Sequence, residues 1–176
     1  GINRLDPQLQ SGYSGIDSQY NLALNQLLGN KNQQQTAYDQ NVTQNKTNYI
    51  GAKNTIGSQA GGALNGLLRL LGARGAGGSS AYRTVAPNAV ARGASLQRND
   101  VGNNFAQKSQ SLDTNWNNFL TGYNNQVSSA TSQKDQQRHS LESSIASNRA
   151  SLLQSLAQLQ SQRGIAAGGS GVADSQ

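Results

Sequence analysis

Two stretches of this chain close a run of spaced leucines in the same way, and that recurrence limits the fold more than any other feature. Residues 61–81 read GGALNGLLRLLGARGAGGSSA, and residues 151–171 read SLLQSLAQLQSQRGIAAGGSG. A shift of 89 positions places Leu64 on Leu153, Leu67 on Leu156 and Leu70 on Leu159, then Arg74-Gly75 on Arg163-Gly164. Leucine and arginine are not the common letters here; Gln, Asn, Ser and Gly are. The match therefore points to two related units, each a long helix closed by Arg-Gly and a Gly-Gly-Ser loop. Convergent stop signals are the competing account, because glycine follows helices for backbone reasons alone.

The spacing upstream of each element is helical. In residues 16–71, bulky positions recur at Ile16, Tyr20, Ala23 and Leu27, then at Tyr38, Val42, Tyr49, Ala52 and Ile56, in steps of three and four or their sums. Lys31 and Gln34 interrupt this stripe with a polar gap. Residues 96–163 predict a second helix of about 100 Å at 1.5 Å per residue. Its stripe runs Val101, Phe105, Leu112, Trp116, Phe119, Tyr123, Val127, Ala130, Lys134, Leu141, Ile145, Leu152, Leu156 and Leu159. The steps group into 11-residue blocks, which favour a nearly straight or slightly right-handed helix over a heptad supercoil. Gln137 and Asn148 sit on that stripe, and a buried seam Asn fixes register and oligomer number.

These patterns predict an all-α fold: long helices in a hairpin or rod with a Gly-rich central break and coiled-coil-like oligomerisation. The expected segments are an N-terminal arm over 1–15, marked by Asp6-Pro7, Gly12 and Gly15, and a first helical unit over 16–71. A hinge with a short helix follows over 72–95, with Ser79 or Ser80 as N-cap. The long helix over 96–163 and a Gly/Ser tail over 164–176 complete the chain. A fold-back at residues 72–78 is favoured, and an end-to-end rod is the alternative.

Composition says how such helices must be stabilised. Hydrophobic residues make up 34% of the chain, with two Phe, one Trp and no Met. A chain this poor in large apolar side chains buries too little surface alone and needs partners, most simply copies of itself. The expected oligomer interface is Leu112, Trp116, Phe119, Tyr123, Val127, Leu141, Ile145, Leu152, Leu156 and Leu159. There is no cysteine, hence no disulfide framework and no thiolate metal site. No apolar run approaches the 18 residues of a membrane-spanning helix.

Charge is uneven. The net charge is +6, yet no acid occurs between Asp39 and Asp100, a window that holds Lys46, Lys53, Arg69, Arg74, Arg83, Arg92 and Arg98. Arg69, Arg74, Arg83, Arg92 and Arg98 are candidate contacts to DNA or another anionic surface, against the plainer alternative of a solvated basic face. Leu64, Leu67, Leu68 and Leu71 are candidate membrane or partner contacts in a Gly-rich, basic segment that resembles an interfacial helix.

Catalytic patterns are missing. His139 is the lone histidine, among Gln137, Arg138 and Ser140 on a helix surface. No serine sits in a nucleophile elbow, the acids have no paired spacing, and the glycine run over 72–78 lacks the Gly-Lys-Ser/Thr of a phosphate loop. The expectation is a non-enzyme with no cofactor, no metal and no small-molecule substrate.

Long Gln/Asn/Ser/Ala helices without cysteine, broken by ARGAGGSSA and QRGIAAGGSG, resemble minor structural proteins of tailed bacteriophages. The likeness covers residues 64–81 and 153–171, and elsewhere is one of general character. It is shared by the tail tape-measure class and the small internal proteins ejected with DNA from short-tailed phages. The resemblance implies a virion location in tail, neck or internal core, and a homo-oligomer that contacts other virion proteins. It leaves two alternatives: a membrane-active part of a DNA-delivery conduit, with residues 61–78 as the insertion element, or a basic nucleic-acid-binding helical protein.

Overall fold

The computed structural model describes residues 5–169, and for 164–169 the backbone alone. The first four residues of the expected arm and residues 170–176 of the expected tail lie outside the described residues. The chain is an all-α helical hairpin with two long helices, α1 over Leu5–Ala73 (69 residues) and α2 over Ala86–Gly169 (84 residues). It divides into two compact units, one of Gly1–Asn30 with Tyr123–Gln176 and one of Lys31–Gly122. The division falls at the polar gap that begins with Lys31.

Within the first unit the helices pair antiparallel. Tyr13 meets Glu142, Asp17 meets Lys134 and Arg138, and Tyr20 meets Thr131. Within the second unit Tyr38 meets Asp113 and Trp116, Asn45 meets Ser109, and Tyr49 meets Phe105. Numbers rise on α1 as they fall on α2, which is the fold-back geometry.

The corner is set by glycine chemistry. Gly75 has φ of 76°, a left-handed conformation that an L side chain resists. The Ala76 N–H bonds the Leu71 carbonyl at 2.9 Å and the Gly75 N–H bonds the Gly72 carbonyl at 3.0 Å. That is a Schellman closure, which satisfies the last carbonyls of α1. Ser79 starts the return: its Oγ accepts from the Tyr82 N–H at 3.3 Å, the bond an N-cap makes to the third helical residue.

The hinge is shorter than the expected 72–95. A π-helical turn over Ala81–Val85 runs directly into α2. The Ala86 N–H reaches back to the Ala81 carbonyl. Such a wide turn accommodates Pro87, which has no N–H to continue the α pattern. The expected arm is also largely helix, since α1 begins at Leu5. Pro7 sits in the first turn, where its missing N–H loses nothing. Gly12 is not a turn signal but a clearance: a Cβ there would run into the Leu141 methyls. The two Arg-Gly elements behave differently. Arg74-Gly75 ends α1, whereas Arg163-Gly164 lies inside α2.

The inward face of α1 follows the same 11-residue step as α2. Leu5, Ile16, Leu27, Tyr38, Tyr49, Ala60 and Leu71 are each 11 apart, and every one is buried or half-buried. On α2, Val90, Val101, Leu112, Tyr123, Lys134 and Ile145 keep that step and are half-buried. Three turns of 3.67 residues hold such a stripe on one face.

Candidate interaction surfaces

Each unit has a polar seam threaded with aromatics. In the second unit, Trp116 stacks between Tyr38 and Phe119, with ring centroids 5.4 Å apart in both pairs. Tyr49 and Phe105 stack at 4.6 Å. The Tyr38 hydroxyl donates to Asp113 at 2.6 Å, and that bond holds the phenol above its ordinary pKa. Asn45 is the most buried polar residue described, 6% exposed. Its Nδ2 donates to Ser109 Oγ at 3.0 Å and to the Phe105 carbonyl at 3.3 Å.

In the first unit the seam is ionic. Asp17 lies 3.0 Å from Lys134 Nζ and 2.8 Å from Arg138 Nη2. The hydrogen bond from Lys134, aided by the Arg138 charge, holds the Asp17 carboxyl below its usual range. The same two cations lie over rings of α1, Lys134 over Tyr20 and Arg138 over Tyr13. The Tyr13 hydroxyl donates to Glu142, which raises the phenol and lowers the carboxyl.

The residues of the expected oligomer interface divide by what they face within the chain. Leu112, Trp116 and Phe119 line a groove with Gln34, Ala37, Tyr38 and Asn41 of the same chain's α1. Tyr123, Val127, Leu141 and Ile145 are half-buried in the first unit. Leu152, Leu156 and Leu159 differ. Every described side chain over 146–163 is exposed, and Leu152, Leu153, Leu156 and Leu159 are 37–61% exposed. The α2 stripe thus continues beyond the last half-buried position, Ile145, onto an open helix face. The seam asparagine is Asn45 rather than Asn148, which is exposed, and the inward position near Gln137 is Arg138. After Lys134 the stripe steps by four and then three, so Gln137 turns outward. His139 is outward too, with Nδ1 3.5 Å from Glu142 Oε2.

The hairpin corner forms a second surface. Arg69, Arg74, Arg83, Arg92 and Arg98 are all exposed, and no described residue pairs with any of their side chains. Leu64, Leu67, Leu68 and Leu71 are half-buried, whereas Leu70 is 49% and Val85 61% exposed. Among the described residues no helix is long and apolar enough to cross a membrane, and no three His, Cys, Asp or Glu side chains cluster. No protein-family model, curated protein or solved structure matches the chain.

Proposed function

We propose that this chain is a non-enzymatic structural component of a bacteriophage virion, acting by helical assembly with copies of itself and with other virion proteins. The observation that carries the assembly reading is missing burial. Only Leu5, Ile56, Ala86 and Ala94 are buried apolar residues among those described, and no side chain is completely enclosed. The chain exposes 12896 Å². A compact monomer of 18.5 kDa exposes about 8,200 Å². The excess is surface open to neighbours, and Leu152, Leu153, Leu156 and Leu159, 37–61% exposed, are an apolar stretch of it. The virion location rests on the likeness of residues 64–81 and 153–171 to phage structural proteins.

Sedimentation velocity with light scattering, across concentration, tests the assembly reading. A discrete oligomer is expected, and L152N/L156N/L159N shifts it toward monomer without loss of helicity. A monomer at every concentration, melting cooperatively, removes the proposal.

A further inference from the structure

We infer that the hairpin corner is a docking surface for an anionic lipid bilayer, which it engages peripherally. The inference does not rest on assembly or on a virion location; it rests on what the fold brings to one end of the second unit. The chain folds back at residues 74–79, so the C-terminal part of α1 and the N-terminal part of α2 both deliver cations there. Of the seven cations from Lys46 to Arg98, a stretch with no acid, Arg69, Arg74, Arg83 and Arg92 lie within about 20 Å of the fold-back at 1.5 Å per residue, and Lys46, Lys53 and Arg98 stand about 30–40 Å back along the helices. All seven are exposed. Lys53 lies over the Tyr49 ring at 5.2 Å; the side chains of the other six have no ion-pair or hydrogen-bond partner among the described residues. Around Arg69, Arg74, Arg83 and Arg92 the charge has one sign, which is complementary to an anionic surface.

Apolar exposure selects the kind of surface. Leu70 stands beside Arg69 and Val85 two residues from Arg83, and they are 49% and 61% exposed. Cations interleaved with exposed aliphatic side chains match a headgroup layer over acyl chains. A nucleic acid would call for exposed rings to stack on. Within the acid-free window the rings are Tyr49, packed on Phe105, and Tyr82, half-buried. The described helices include no membrane-spanning candidate, so the engagement is superficial.

The test is flotation of the intact chain with vesicles of phosphatidylcholine, alone or mixed with phosphatidylserine. Binding is expected only to the mixed vesicles, and it should weaken as salt is raised. At about fivefold per charge, R69Q/R74Q/R83Q should weaken it about a hundredfold. L70S/V85S, which leaves the charge intact, should weaken it by about tenfold. R149Q, outside the window, should leave it unchanged. All of these positions are exposed, so circular dichroism should match the parent, and the sedimentation of the variants reports assembly separately. The inference is overturned by no binding to mixed vesicles, by unchanged binding of L70S/V85S, or by tight binding to duplex DNA without binding to vesicles.

Discussion

Replacing Asn45 tests how the seam is held. Asn45→Ala removes two side-chain hydrogen bonds, one of them long at 3.3 Å. Neutral bonds contribute about 0.5–1.5 kcal/mol each in net terms. The hydroxyl of Ser109 can turn to the Phe105 carbonyl, four residues back on its own helix, so nothing is left stranded. Alanine returns about 0.5 kcal/mol of helix propensity. The expected net loss is about 1 kcal/mol, or about 2–4 °C in Tm for a chain of this size. Asn45→Leu should act oppositely on stability, gaining up to about 2 kcal/mol from apolar burial. It should also loosen register. Inward positions recur every three or four residues on both helices, so a pairing slipped by one turn is similar in packing, and the glycine corner can absorb a turn. A buried amide with one partner set disfavours those slips. The chain has no cysteine, so Tyr49→Cys with Phe105→Cys reports native register by disulfide formation, and Lys53→Cys with Phe105→Cys reports a one-turn slip. Urea unfolding followed by circular dichroism gives the stabilities. An unchanged Asn45→Ala midpoint refutes the hydrogen-bond account. Asn45→Leu cross-linking only in the native register refutes the register account.

Gly29 lies exposed inside α1 with nothing within 4 Å of an added Cβ, so Gly29→Ala should stabilise by about 1 kcal/mol, read as a rise in the urea midpoint. Gly75→Ala should do the reverse by about 1–2 kcal/mol, because φ of 76° places a Cβ in the disfavoured left-handed region. Asp17 and Glu142 have lowered pKa values, from the Lys134 and Tyr13 hydrogen bonds respectively. Their stabilisation is present above the unfolded-state values near pH 4 and is lost as pH falls through the folded ones. Tm should therefore fall on acidification below about pH 4, and less steeply in Asp17→Asn. Tyr38 has the opposite sign. Its raised pKa, from Asp113, gives a contribution present below about pH 10 and lost above it, which Tyr38→Phe should remove.

The helices and the corner were legible because they depend on local chemistry. The stripe from Val101 to Ile145 faces inward as its spacing requires, and the break sits at the Arg74-Gly75 element. The α1 repeat was harder to see. Its inward positions include Lys31, Gln35 and Asn45 as well as small Ala60, so an apolar count passes over them. A search at a fixed 11-residue step from Leu71 back to Leu5 would have found it. Asp6-Pro7, Gly12 and Gly15 suggested a loop, and pairing against α2 overrides those propensities. The partners of Asn45 and Asp17 were not legible at all. Ser109, Lys134 and Arg138 lie far along the chain, and only the fold-back register brings them into range.

The distribution of acids is what makes the corner more than a solvated basic end. Asp17, Asp113 and Glu142 each bond a group on the facing helix: Lys134 and Arg138, Tyr38, and Tyr13. Asp39 accepts from Gln35 one turn away. Three acids therefore hold the helix pair together, and residues 40–99 do without any. That absence is not required for folding. The corner arginines are exposed, and a Glu at exposed position 65 or 88, one turn before Arg69 or Arg92, would add about 0.2–0.5 kcal/mol as an i,i+4 pair. A sequence selected only for hairpin stability would gain by placing acids there, and would also reduce repulsion among seven cations. The fold forgoes that stabilisation over about 60 consecutive residues, while leaving Leu70 and Val85 in the open. Both choices oppose folding in isolation and favour contact with an anionic, partly apolar surface.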